Sequence, residues 1–127
     1  MEMHIDIVKI SQVATDRVDY STLIFKIVLP QKVDIDNAKD LGVYFNTLIA
    51  GGALKIFVDM NKLEYIDSAG IGVLINTAKM IRHKKGDIVL ANISDDIRSI
   101  FKVISLENFI KIYNSEVEAI QSFRYVT

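Results

Sequence analysis

Ser68 is the residue whose type and position best suit it to chemistry, because its hydroxyl follows the carboxylate of Asp67 where a helix is predicted to begin. A serine at or next to a helix N-cap accepts a hydrogen bond from a backbone amide and stabilises the helix by about 1 kcal/mol. A catalytic serine also needs a base to activate it. The chain has no Gly-x-Ser-x-Gly elbow and no histidine placed for that purpose. Capping is therefore the simplest local interpretation of Ser68.

Other catalytic and cofactor motifs are also missing from the sequence. There is no Walker-type phosphate loop, and Gly70-Ile71-Gly72 lacks the third glycine of a dinucleotide loop. The chain has no cysteine, and its two histidines, His4 and His83, lie in dissimilar contexts that do not suggest a metal pair. We therefore predict a non-enzymatic protein with no cofactor and no metal site.

Charge and hydropathy limit the partners and the location. The net charge of −1, with basic residues scattered along the chain, gives no electrostatic reason to expect nucleic acid. No stretch reaches the roughly 18 apolar residues that span a bilayer, and the N-terminus lacks a secretory pattern, so we expect no direct membrane insertion. The simplest prediction is a cytoplasmic protein whose 127 residues form one domain, 1–127.

Strand-like and helix-like patterns alternate along the chain. We predict the order β-β-α-β-α-β-α-β-α, in which the strands lie at residues 3–14, 23–29, 54–59, 88–91 and 109–113. The helices are predicted to start after Asp36 or Asn37, at Ser68, at Ser94 or Asp95, and after Ser115. In the first helix the residues spaced to form one buried face are Leu41, Tyr44, Phe45, Leu48 and Ile49. The segment 60–67 reads as a linker, and Gly86 ends the second helix near Lys85. This order predicts an α/β fold with a mixed central sheet and about four helices.

The helix predicted over residues 68–85 has an unusual outer side. The residues predicted to face the core follow helical spacing: Ile71, Leu74, Ile75, Ala78 and Ile81. The opposite side carries small and apolar residues instead of Lys and Glu, namely Ala69, Gly72, Val73, Asn76 and Met80. Small residues allow another surface to approach closely, and methionine adapts to irregular surfaces. A partner protein or a neighbouring helix of the same domain can cover this outer stripe, and both alternatives stay open.

The segment Asp67-Ser68-Ala69-Gly70-Ile71-Gly72-Val73-Leu74 resembles the motif of STAS domains, specifically of bacterial anti-sigma factor antagonists. The resemblance extends from about Leu29 to Ile120. It includes Val33-Asp34 ahead of the first helix, Ile56-Phe57-Val58-Asp59, Ile88-Val89-Leu90, and Ile100-Phe101 with Leu106. The fold implied is a single STAS-like domain.

The resemblance implies a function for the residues of the motif. Ser68 is the expected phosphorylation site, modified by a partner that is both an anti-sigma factor and a serine kinase, and a phosphatase is the expected second partner. The unmodified protein is expected to bind the anti-sigma factor, and the phosphorylated protein to release it. Expected partner-binding residues are Asp34, Asp67, Ser68, Ala69, Gly70, Gly72, Val73, Asn76 and Met80. For Asp34 the alternative is a turn or capping residue, and for Asp67 it is a local hydrogen bond.

Two positions depart from the family pattern. Ala69 stands where the family often has Ser or Thr, so Ser68 is the only hydroxyl acceptor in the motif, and Lys32 stands where an acidic residue is common. Alternative functions are a scaffold STAS domain of a signalling assembly, an accessory STAS subunit of a membrane transport ATPase, and a small-ligand or nucleotide-binding domain. The basic run Arg82–Lys85 complements the negative end of its helix or contacts an acidic partner surface.

Overall fold

The computed structural model describes residues 4–9 and 23–124 of the chain. Seven strands lie in this part of the chain, namely β1 (His4–Lys9), β2 (Leu23–Val28), β3 (Lys32–Val33), β4 (Lys55–Asp59), β5 (Tyr65–Ile66), β6 (Asp87–Ala91) and β7 (Lys111–Tyr113). The helices are α1 (Ala38–Ala50), α2 (Ser68–His83), α3 (Asp95–Val103) and α4 (Glu116–Arg124), with a 3₁₀ turn at Leu106–Asn108. The end of the predicted first strand beyond Lys9, and the predicted turn at 15–17, lie outside the described residues.

The main sheet has five strands in the order β1-β2-β4-β6-β7. β1 pairs with β2 in antiparallel fashion, and the other neighbours are parallel, so the sheet is mixed as predicted. The parallel strands are joined by helices, as crossover connections require. The predicted α/β class is confirmed, and the described residues contain four α-helices.

The two faces of the main sheet carry separate hydrophobic clusters because side chains alternate along each strand. Ile27, Val58 and Leu90 pack with α1, α2 and α3 on one face. Phe57 and Val89 pack on the other face with Phe123 of α4. The result is three layers, with α4 as the helix that packs on the second face.

Helix α1 follows most of its predicted pattern. Leu41, Phe45 and Ile49 are buried at helical spacing, whereas Tyr44, which was also predicted to face the core, is exposed. Asn37 is the N-cap residue but its side chain makes no capping bond. The chain turns sharply after α1 at Gly52, whose φ of +109° strains any side chain larger than hydrogen.

A second, two-stranded sheet was not predicted. β3 and β5 pair in parallel, so the segment 60–67, which was interpreted as a linker, contains a strand. The other boundary errors are small: α2 ends at His83 instead of Lys85, and the last strand begins at Lys111 instead of Phe109. Within residues 4–9 and 23–124, no helix is long and apolar enough to cross a membrane.

Candidate functional site

The two-stranded sheet brings together the two loops that carry the predicted site. Lys32 lies opposite Tyr65, and Val33 lies opposite Ile66. The ladder continues one residue further, because the Asp67 amide donates to the Val33 carbonyl at 3.1 Å. The residues after β3 and those after β5 therefore emerge side by side, and α2 begins directly at this junction.

Asp67 fixes the start of α2 and joins it to the neighbouring loop. Its Oδ1 accepts a hydrogen bond from the Gly70 amide at 3.1 Å, which makes Asp67 the N-cap of the helix. Its Oδ2 accepts from the Ile35 amide at 3.0 Å, across 32 residues of sequence. The expected local bond of Asp67 is present, and the second bond gives this carboxylate a positioning role between two loops. A contact of Asp67 with a partner stays a prediction.

Ser68 occupies the first helical position of α2 and is exposed. The prediction that its hydroxyl accepts a hydrogen bond as a cap is wrong, because Asp67 takes that role one residue earlier. Among residues 4–9 and 23–124, no group forms a hydrogen bond with the Ser68 hydroxyl. The side chain is thus held at a helix N-terminus while its oxygen is left open to solvent.

Asp34 organises the loop between β3 and α1. The residue is 8% exposed, and its Oδ1 accepts from the Asp36 amide at 2.9 Å while its backbone carbonyl accepts from the amides of Asn37 and Ala38. The Asp34 amide in turn donates to Oδ1 of Asn37 at 2.9 Å. The turn interpretation of Asp34 therefore matches its contacts, and an additional contact with a partner stays a prediction.

Lys32 neutralises Asp34 from the edge of the two-stranded sheet. Nζ of Lys32 lies 3.1 Å from Oδ2 of Asp34. This charge-assisted hydrogen bond is the main reason that the pKa of Asp34 is lowered and the pKa of Lys32 is raised from their ordinary values. Lys32, the position that departs from the family pattern, thus has a structural partner within its own loop.

Gly70 lies beneath the site and does not reach the surface. A Cβ at this position would lie 2.7 Å from Cγ1 of Ile66 and 2.8 Å from Cγ1 of Val33. The residue is buried, so its contribution is to let the first turn of α2 pack closely on the two-stranded sheet. Gly70 was predicted to bind a partner, and its burial instead gives it a role in supporting the site.

Gly72 differs from Gly70 although it is only two residues away. A Cβ at Gly72 would meet no heavy atom within 4 Å, so packing within the described domain does not require glycine there. Ala69 beside it is half-buried and Asn76 is exposed. This part of the outer stripe faces open space.

The other edge of the outer stripe is covered by the domain itself. Val73 and Met80 are half-buried and pack against the core cluster. A Cβ at Gly42 of α1 would lie 3.9 Å from Cγ2 of Val73, which places α1 against this edge. The neighbouring-helix alternative therefore holds for the Val73 side, which α1 covers, while the side of Gly72 and Asn76 remains open and a partner there stays a prediction.

Sequence analysis missed two apolar residues that flank Ser68. Ile35, whose amide is bound by Asp67, is 78% exposed, and Tyr65 of β5 is 51% exposed. A signal for Ile35 is present in the sequence, because an isoleucine between Asp34 and Asp36 has an apolar side chain in a polar turn. Tyr65 gives no comparable signal, because its exposure depends on the unpredicted pairing of β3 with β5.

The fold and the site define a single α/β domain that presents a serine at the start of a helix beside a small second sheet. A model of the STAS domain matches residues 12–119, so the chain belongs to the STAS domain family. The crystal structure of the Thermotoga maritima protein TM1081 has a TM-score of 0.72 at 27% identity, covering 78% of this chain and 87% of that chain.

Two further proteins are similar to this chain. The anti-sigma-B factor antagonist of Listeria monocytogenes is 33% identical over 61 residues, which are 48% of this chain and 54% of the Listeria protein. The Bacillus cell fate determinant SpoIIAA, in its phosphorylated form, has a TM-score of 0.62 at 21% identity over 84% of this chain and 95% of its own. The similarity to SpoIIAA, at 21% identity, shows the fold alone.

Proposed function

We propose that this protein is a non-enzymatic anti-sigma factor antagonist that changes partners when Ser68 is phosphorylated. The observation that carries the proposal is that Asp67 and Ser68 have different roles at the start of α2. Asp67 makes the capping bond, and Ser68 is exposed with a hydroxyl that no described residue engages. Membership of the STAS family and the name of the Listeria relative support the same function.

The unmodified protein binds an anti-sigma factor that is also a serine kinase, and thereby frees a sigma factor for transcription. The partner contacts Ser68 and the open side of the outer stripe, where Gly72 and Asn76 leave room for another surface. Ile35 and Tyr65, which are exposed on the two loops that meet at the start of α2, extend this surface. Apolar side chains of this size contribute to affinity when a partner removes them from water.

Phosphorylation joins the Ser68 oxygen to the γ-phosphorus of ATP held by the kinase, with ADP as the leaving group and the hydroxyl proton passing to the kinase. The new group carries about −1.5 to −2 charges at neutral pH. The helix N-terminus tolerates it, because the first amides of a helix and its dipole favour an anion. SpoIIAA, which shares the fold, is a protein solved in a phosphorylated form, and this supports a fold that survives the modification.

The partner interface does not tolerate the phosphate in the same way. A hydrated dianion next to Ile35 and Gly72 has to lose water or find an arginine before the partner can pack there. Release of the anti-sigma factor follows, and a phosphatase restores the unmodified form. In this scheme the kinase binds the ATP, and this protein itself catalyses no step.

The test is phosphosite mapping by mass spectrometry on the protein captured from its native host under growth and stress conditions, together with identification of the proteins that co-purify. We expect phosphate on Ser68, with an occupancy that changes between conditions, and an anti-sigma factor kinase bound only to the unmodified form. Ser68 that stays unmodified at full peptide coverage, with an ATPase subunit or a large signalling assembly bound instead, contradicts the proposal. That result assigns the protein to the transport-accessory or scaffold alternative.

A further inference from the structure

A cleft lies on the face of the main sheet that α4 covers, near the end of α2 that is opposite to Ser68. It is formed where β4, β6 and β7 begin, and its volume is about 410 Å³. This size lies within the range of pockets that bind small molecules, roughly 300–1,000 Å³. The lining includes Lys55 and Asp87 at the first positions of their strands and Phe123 near the end of α4.

Cations predominate in the lining of the cleft. Lys55, Lys85 and Lys111 come from three different segments, and none of them forms an ion pair with a residue in the described parts of the chain. The one carboxylate in the lining, Asp87, is bound by Arg82, whose Nε lies 3.1 Å from Oδ1. The cleft therefore has an excess of positive charge that attracts an anion.

Apart from Ser122, the remaining walls of the cleft are apolar, and they pack against the protein core. Val89 and Phe123 are buried members of the cluster beneath α4, and Tyr113 packs against that cluster. At Gly86 a Cβ would lie 2.3 Å from the Leu54 carbonyl oxygen, so two backbone segments meet there without room for a side chain. The Asp87 amide donates to the same carbonyl at 2.9 Å. The cleft is thus formed in advance of any ligand, which lowers the cost of ordering it.

We propose that this cleft binds a small organic anion with an apolar or aromatic body and a phosphate or carboxylate group. The lysines take the anionic group, and Leu54 and Tyr113, the half-buried apolar residues of the lining, take the apolar body. The inference is independent of the phosphorylation of Ser68, since the two sites share no residue. It also gives the basic run Arg82–Lys85 a further role, because Lys85 faces the cleft and Arg82 neutralises its carboxylate.

The test uses 1-naphthyl phosphate as the probe and the ¹⁵N-labelled full chain as the receptor. A titration followed by amide chemical shifts is expected to saturate, with the largest changes at Lys55, Gly86, Asp87 and Tyr113. Inorganic phosphate and 1-naphthol each carry half of the probe's chemistry, and we expect each to bind at least about tenfold more weakly than the probe, because one kind of contact is lost.

The matched variants separate the charge of the cleft from the charge of the whole protein. Lys55→Gln with Lys111→Gln removes two cleft cations and is expected to weaken the probe about tenfold or more. Lys79→Gln with Lys102→Gln removes two exposed cations that do not line the cleft, and is expected to change affinity less than about twofold. The dispersed amide spectrum of each variant reports that it is folded. Equal affinity of the two double variants, or shift changes that map away from the cleft, overturns the proposal.

Discussion

Helices α2 and α3 begin with the same two residue types in opposite order. In α2 Asp67 is the cap and Ser68 follows, whereas in α3 Ser94 is the cap and Asp95 follows. Ser94 Oγ accepts from the Ile97 amide at 3.2 Å, while the Ser68 hydroxyl is left without a partner among the described residues. The difference of one position decides whether a serine supports its helix or remains free for modification.

The charges around the two helix starts reinforce this difference. The first turn of α3 contains Asp95 and Asp96, whereas the first turn of α2 contains no acidic residue. The α3 carboxylates already use the favourable field of their helix N-terminus, and they repel a phosphate placed there. At α2 one carboxylate, that of the N-cap Asp67, already accepts from the Gly70 amide, so a phosphate on Ser68 meets a single neighbouring carboxylate where the first turn of α3 has two.

The largest expected effect is that of an added negative charge on partner binding, compared between α2 and α3. Ser68→Asp is expected to weaken binding of the anti-sigma factor kinase more than about a hundredfold, which corresponds to about 3 kcal/mol. The charge lies at the edge of the proposed interface, where the partner has to desolvate it. Isothermal titration calorimetry with the captured partner measures the change. Ser99→Asp, an exposed serine of α3, is the matched control and should bind as wild type does. Wild-type affinity in Ser68→Asp contradicts the interface.

The second prediction concerns the glycines behind and beside Ser68. Gly70→Ala is expected to lower the free energy of unfolding by about 1–3 kcal/mol, because its Cβ overlaps Ile66 and Val33. Gly72→Ala has open space and is expected to raise it by up to about 1 kcal/mol, since alanine favours the helix. Urea denaturation measures both. Gly72→Ala should also weaken binding of the partner. Unchanged affinity for the partner would mean that Gly72 does not belong to the interface.

The third prediction compares the caps directly. Asp67→Ala and Ser94→Ala are each expected to cost about 1–2 kcal/mol of stability, because each removes a capping acceptor. Ser68→Ala is expected to change stability by less than about 0.5 kcal/mol, because the side chain is exposed and forms no hydrogen bond with a described residue. Thermal and urea unfolding of the three variants gives the ranking. If Ser68→Ala costs as much as Ser94→Ala, Ser68 is a structural residue and the comparison between the helices fails.

The smallest expected effect is a pH dependence of stability that arises from the Lys32–Asp34 pair, in the loop that Asp67 joins to the start of α2. The folded pKa of Asp34 lies below its ordinary value of 3.8, so its contribution to stability is present above that pH and is lost as pH falls through the folded pKa. The folded pKa of Lys32 lies above 10.5, so its contribution is present below that pH and is lost as pH rises through the folded pKa.

Lys32→Gln tests this dependence because it removes the cation that lowers the Asp34 pKa. The variant should be less stable than wild type at neutral pH, and the difference in urea midpoint should shrink as the pH falls below 3.8 and through the lowered folded pKa of Asp34. Ser94→Ala should show a stability difference that does not change over the same pH range, because a hydroxyl cap does not titrate. A constant difference for Lys32→Gln as well would mean that the Lys32–Asp34 pair contributes nothing to stability.

Sequence reasoning reached the fold because the long elements have strong periodic patterns. Leu74, Ala78 and Ile81 were predicted to face the core at helical spacing, and they are buried. β3 and β5 were missed because each has two residues and is stabilised by pairing with a segment more than 30 residues away. No local pattern encodes such a contact.

The site was predicted in outline but not in its details. Asp67-Ser68 correctly marked a helix start, but propensity alone does not decide which of two adjacent capping residues takes the N-cap. Gly70 and Gly72 look equivalent in the sequence, and only the approach of Val33 and Ile66 separates them. The residues that line the cleft are spread over 70 positions, from Leu54 to Phe123, and they are brought together by the strand order and by the packing of α4 on the sheet.

The small parallel ladder between β3 and β5 has a kinetic consequence for the protein. It stands apart from the five-stranded sheet; Val33 and Ile66 anchor it in the main core, and at its open end it is held by backbone bonds and by the exposed Asp67 bridge to Ile35. Such a unit opens at a lower free energy than the central strands do. In native-state hydrogen exchange, the amides of Ile35 and Asp67 should exchange as one early-opening group while those of β4 persist. We expect this local opening to make the segment before Ser68 accessible to another protein's active site without global unfolding.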